Sequence, residues 1–80
     1  MRTMNYDITA AVVEVFKTNV KYTVQAEKLV TALKQHFSGA RINFDLEDRD
    51  KILRLEGENI NAGTVAEIME KNGFNCEVLE

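Results

Sequence analysis

The side chains able to do chemistry are few and scattered. The only cysteine, Cys76, and the only histidine, His36, stand far apart in the chain. A nucleophile needs a base within hydrogen-bond reach, and nothing in the spacing pairs these two, so catalysis is not expected. A single cysteine excludes an internal disulfide and the zinc sites built on cysteine pairs. In a terminal strand it reads as a small buried hydrophobe. Met69 falls on an apolar helical stripe and reads as core, while Met1 and Met4 belong to an N-terminal tail. His36, near the end of a helical stretch, suits a contact with the negative C-terminal pole of that helix. The acidic run Asp45, Glu47, Asp48 and Asp50 lacks the turn glycine and closing glutamate of an EF-hand loop. With Asp45 and Glu47 on the outer face of a strand, it reads as a solvated hairpin that resists aggregation.

Composition narrows the classes further. The 80 residues are 45% hydrophobic and 29% charged, with 13 acidic side chains against 10 basic and a formal charge of -3. That is one small domain with one thin core, too small for a large enclosed active site. Mild acidity argues against nucleic acid as the main partner. No apolar run is long enough to span a bilayer, and Met1 to Asp7 lacks the apolar stretch of a signal peptide. A cytoplasmic protein without membrane contact is the expectation. Residues 1–9 read as a flexible N-terminal segment and 10–80 as the domain. The acids concentrate in the second half, giving the molecule an electrostatic polarity.

The elements that must position these groups follow from hydrophobic periodicity. Ala10 to Lys17 predicts a strand with apolar residues on both faces, Val13 and Val15 on one and Val12 and Phe16 on the other. Ala26, Leu29, Val30, Leu33 and Phe37 mark one face of a helix from Val24 to Phe37, with Thr23 as its cap and Gly39 as its left-handed terminator. Arg41 to Glu47 alternates, with Ile42, Phe44 and Leu46 on one side. After the turn Asp48-Arg49-Asp50, Lys51 to Glu56 continues as a hairpin partner, with Leu53 and Leu55 facing inward. Ala62 to Asn72 predicts a second helix on Val65, Ile68 and Met69, stopped by Gly73, and Phe74 to Leu79 a last strand. This βαββαβ order predicts an α+β, ferredoxin-like fold: a four-stranded antiparallel sheet with two helices on one face. Many unrelated activities share that fold, so it does not specify function.

Three stretches carry a resemblance. Phe16-Lys17-Thr18-Asn19-Val20 before a helix, the hairpin Ile42-Asn43-Phe44-Asp45-Leu46-Glu47, and Ile68-Met69-Glu70-Lys71-Asn72-Gly73-Phe74 resemble the heavy-metal-associated domain of copper chaperones and metal-pumping ATPases. The likeness covers residues 10 to 79. It implies a loop between first strand and first helix that holds Cu(I) on two cysteines spaced CxxC, because soft Cu(I) prefers thiolate sulfur. Counting from Val20, which stands where the family has a buried loop residue, those cysteines fall on Tyr22 and Gln25. A phenol and a neutral amide replace thiolates poorly at neutral pH. No metal and no cofactor are therefore expected.

What remains is a non-enzymatic interaction or accessory module. Its expected contact residues are Lys17, Lys21, Tyr22, Gln25 and Lys28, around the loop where the family docks its metal-transfer partners. The alternative is metal binding or transfer through nonstandard ligands in that loop. The partner is an unidentified protein or a second copy, the latter joined through an outer sheet face carrying Val12 or Phe16 with Ile52 and Leu79. RNA recognition motifs share the element order, but Ile52, Arg54 and Glu56 offer no aromatic for base stacking. Acylphosphatases also share it, yet Thr18 to Thr23 has no counterpart to their glycine-rich phosphate loop.

Overall fold

The computed structural model describes residues 11–79. The N-terminal segment 1–9, with Met1 and Met4, lies outside the described residues. The elements run β1 (Ala11–Thr18), α1 (Thr23–His36), β2 (Arg41–Asp45), β3 (Ile52–Glu58), α2 (Ala62–Lys71) and β4 (Cys76–Val78). All strand pairs are antiparallel and the sheet order is β2-β3-β1-β4, the predicted ferredoxin-like α+β fold.

The two faces of β1 are decided by which side the helices cover. Phe16 is fully buried beneath them, and its partners Leu53 and Val78 share its side of the sheet. Val13 and Val15 lie on the outer face, opposite Glu56 and Arg54. An outer patch built on Val12 or Phe16 is thus corrected: Val13, Val15, Ile52 and Leu79 are its apolar members. Leu79 joins this side by alternation with Glu77 and donates its N–H to the Val15 carbonyl at 2.8 Å. Arg54 and Glu56 form an exposed ion pair at 3.8 Å on the same face.

The core is one layer between sheet and helices. Phe16, Ile42, Leu53 and Leu55 meet Ala26, Leu29 and Leu33 of α1 and Val65 and Met69 of α2. Each fully buried large apolar side chain contributes about 2 to 3 kcal/mol relative to exposure. β3 runs on to Glu58, past the predicted end, because Gly57 and Glu58 pair with Val12 and Ala11 of β1, and Gly57 lies close against Ala40. A Cβ at Gly57 would lie 3.1 Å from the Ala40 Cα.

Helix boundaries follow local chemistry. α1 begins one residue earlier than predicted and is capped by Tyr22, not Thr23. It ends at His36, where the Phe37 N–H bonds the Leu33 carbonyl at 2.8 Å. Gly39 is not at positive φ, so its predicted role as a left-handed terminator is not taken up. α2 starts at the Asn61 cap, whose Oδ1 accepts from the Thr64 N–H at 3.0 Å. It stops as predicted at Gly73, with φ +89°. The Phe74 N–H reaches the Met69 carbonyl and the Gly73 N–H the Glu70 carbonyl, a Schellman closure. That closure takes up Phe74, which leaves β4 shorter than predicted.

Candidate functional site: the loop between β1 and α1

The candidate site is the short connection Asn19 to Tyr22 with the first turns of α1. Its backbone is fixed from beneath and from both sides. Val20 is fully buried and anchors the loop in the core. Thr18, the one buried polar residue among those described, donates its hydroxyl to the Lys51 carbonyl and accepts from the Val20 N–H at 3.2 Å. The Thr18 N–H bonds the Asp50 carbonyl at 3.0 Å. On the other flank, Asn19 Oδ1 accepts from the Asn75 N–H at 2.9 Å. One loop is therefore tied to the β2–β3 turn and to the entry of β4.

The β2–β3 turn is braced by its own acids. β2 ends at Asp45, so Glu47 belongs to the turn and does not share the outer strand face as expected. Asp45 Oδ1 accepts from the Glu47 N–H at 3.3 Å and Asp48 Oδ1 from the Asp50 N–H at 2.8 Å. These are turn-forming contacts. Lys51 sits at φ +47°, a strained conformation for a residue with a Cβ. Its carbonyl is held by Thr18, and its ammonium donates to the Leu46 carbonyl at 2.8 Å.

At the helix start, Gln25 does the work of a cap. Its Oε1 accepts from the N–H groups of Lys21 at 3.4 Å and Tyr22 at 3.3 Å. The Tyr22 carbonyl in turn accepts the N–H groups of Gln25 and Ala26, both at 3.0 Å. The phenol makes no capping bond, and Tyr22 is 62% exposed. Val24 beside it is 60% exposed. No acid occupies the first turn, so the positive pole of α1 adds to the charge of Lys21 and Lys28.

The structure brings together most of the predicted contact residues. Lys21, Tyr22 and Gln25 form one hydrogen-bonded unit, and Lys28 lies exposed on α1 a turn beyond Val24. Lys17 is separate: it projects from the outer face of the sheet, opposite Glu77. Val24 was not anticipated as a surface feature. Its signal is that it falls out of phase with the buried stripe Ala26, Leu29 and Leu33.

The donor set does not fit a soft cation. The oxygen of Gln25 is engaged by two backbone N–H groups, and Tyr22 offers a phenol. Cys76 pairs with Thr18 on the inner face of the sheet, so it lies at the same end of the domain. It is buried, however, and desolvation, reinforced by the nearby charge of Glu70, pushes its thiol up to about 12. A neutral thiol is neither a good ligand nor a good nucleophile. Among the described residues, no group of three or more His, Cys, Asp or Glu side chains could hold a metal ion.

His36 lies at the other end, edge-on to Phe37 with ring centroids 5.0 Å apart. It lines a polar cleft of about 890 Å³ with Arg41, Glu56, Asn59 and Asn61. The sheet register separates this end from Cys76 by the length of β1. Among the described residues, no helix is long and apolar enough to cross a membrane.

No family model, no curated protein and no solved structure matches the chain.

Proposed function

We propose that this chain is a non-catalytic protein-interaction domain of heavy-metal-associated character, which presents Tyr22 and Val24 on a braced loop to a protein partner. The observation that carries the reading is the exposure of these two apolar side chains on a backbone fixed by Thr18, Asn19 and Gln25. An exposed aromatic on a preorganised loop loses little conformational freedom on binding, which is the property of interface anchors. Lys21 and Lys28 flank it and favour an acidic partner surface. The loop stands where the resembling family carries its metal, and here the thiolate positions hold Tyr22 and Gln25. Cytoplasmic residence fits a chain whose one described cysteine is a buried thiol.

The test is recovery of the partner with the native chain, compared with Tyr22→Ala and Lys21→Glu. Loss of the same partner in both variants, with the fold intact, supports the reading. A parallel titration with Cu(I) and Zn(II), followed by backbone amide shifts, covers the metal alternative. Saturable shifts confined to Val20 to Ala26 or to Cys76 would replace the interaction role with a metal role.

A further inference from the structure

A second surface lies along the free side of β2. This strand ends the sheet and pairs with β3 alone, so the N–H and C=O groups on its other side have no strand partner among the described residues. Between that edge and α1 runs a groove of about 650 Å³. Its floor includes Val30, Phe44 and Leu46, each half-buried against the core. Its rims carry Glu27 on the helix side and Asp45 and Glu47 on the strand side, all exposed. Among the described residues, no Lys, Arg or His lines it. Outside the lining, Lys28 follows Glu27 on α1, and the Lys51 ammonium is bonded to the Leu46 carbonyl at one end of the groove.

We propose that this groove docks an extended segment of a partner protein in which apolar and basic residues alternate, added to β2 as a further strand. Three features choose this occupant. An unpaired strand edge is satisfied by another strand, which supplies N–H and C=O groups at the matching repeat. Alternate side chains of that strand would face the half-buried floor, which suits apolar residues, while those between would face the outer side of the sheet beside Asp45. The carboxylates of Glu27, Asp45 and Glu47 then select cations and repel an acidic peptide or a nucleic-acid phosphate. The groove adjoins the Tyr22 loop at Thr23 but includes neither Tyr22 nor Val24, so the two can fail separately.

The experiment uses the full chain and a synthetic peptide of about six residues, enough to span β2, alternating valine and lysine. Saturable amide shifts centred on Arg41 to Asp45 and Glu27 to Thr31 are expected, with slowed amide exchange in β2. Exchanging lysine for glutamate in the peptide, or the double change Asp45→Asn and Glu47→Gln in the protein, should weaken binding by roughly tenfold or more. N-methylation of alternate peptide amides should abolish it, whereas Tyr22→Ala should leave it unchanged. Undiminished binding of the N-methylated peptide would reduce the contact to charge adhesion and overturn the proposal. So would equal binding of the glutamate peptide, shifts confined to the outer sheet face, or no saturable binding.

Discussion

The hydroxyl of Thr18 donates to the carbonyl of Lys51, joining the end of β1 to a residue 33 positions later that is held in a left-handed conformation. The same oxygen accepts the Val20 N–H, so one buried side chain serves both the hairpin and the candidate loop. Thr18→Val keeps the shape but leaves the Val20 N–H and the Lys51 carbonyl without their partner. We expect a loss of about 2 kcal/mol in urea unfolding, with Thr18→Ser recovering most of it. Equal stability of the valine variant would show that the bond contributes nothing.

Cys76 links stability to alkaline pH. Its pKa is pushed up from 9.0 to about 12 in the folded chain. Below pH 9 the thiol is protonated folded or unfolded, and the preference for the neutral form is fully kept. Between 9 and 12 only the unfolded chain releases the proton, so stability falls as pH rises, by at most about 1.4 kcal/mol per pH unit. Cys76→Ala should lack this component when the two chains are compared at each pH. At pH 8 the native thiol should react with a thiol reagent on the order of 100-fold more slowly than the unfolded one.

Two glycines should answer differently to the same change. Gly73 has φ +89° and closes the end of α2, so Gly73→Ala should cost about 1 kcal/mol even though nothing obstructs a Cβ there. Gly39 is equally uncrowded and not at positive φ. Gly39→Ala should be neutral or stabilising by about 0.5 kcal/mol. Thermal unfolding of both variants checks the contrast.

Gln25 is predicted to matter as a cap and not as part of the docking surface. Gln25→Ala removes the acceptor for the Lys21 and Tyr22 N–H groups and should cost about 1 kcal/mol. Gln25→Glu keeps the acceptor and adds a negative charge at the positive helix pole, for a gain of about 0.5 kcal/mol. Denaturant midpoints of the two variants should therefore move in opposite directions.

Tyr22→Ala should separate binding from folding. The phenol is mostly exposed and makes no capping bond, so stability should stay within about 0.5 kcal/mol of the parent. Calorimetric unfolding would reveal a larger change, which would mark Tyr22 as a structural residue.

The order of elements was legible because Ile42, Phe44, Leu53 and Leu55 alternate and Ala26, Leu29 and Leu33 repeat at helical spacing. The facing of β1 was not, since Val12, Val13, Val15 and Phe16 offer apolar groups to both sides and only the helices decide between them. The cap of α1 was misplaced for a local reason. A hydroxyl at Thr23 fits the usual preference, whereas the observed cap works through Gln25 reaching back to Lys21 and Tyr22. Of the candidate contacts, those adjacent on the loop and first helical turns stayed together, and Lys17 was lost because strand alternation turned it to the far face. The groove beside β2 left no mark in the sequence. It exists only once Glu27 and Val30 of α1 are set against Phe44 and Leu46.

The bond between Asn19 and Asn75 spans 56 positions of the chain. A nascent polypeptide still missing β4 lacks one of the loop's two lateral ties, although Tyr22 and its neighbours have long since left the ribosome. The Asn19 support of the loop therefore forms only once the segment leading into β4, the last element of the chain's fold, is in place.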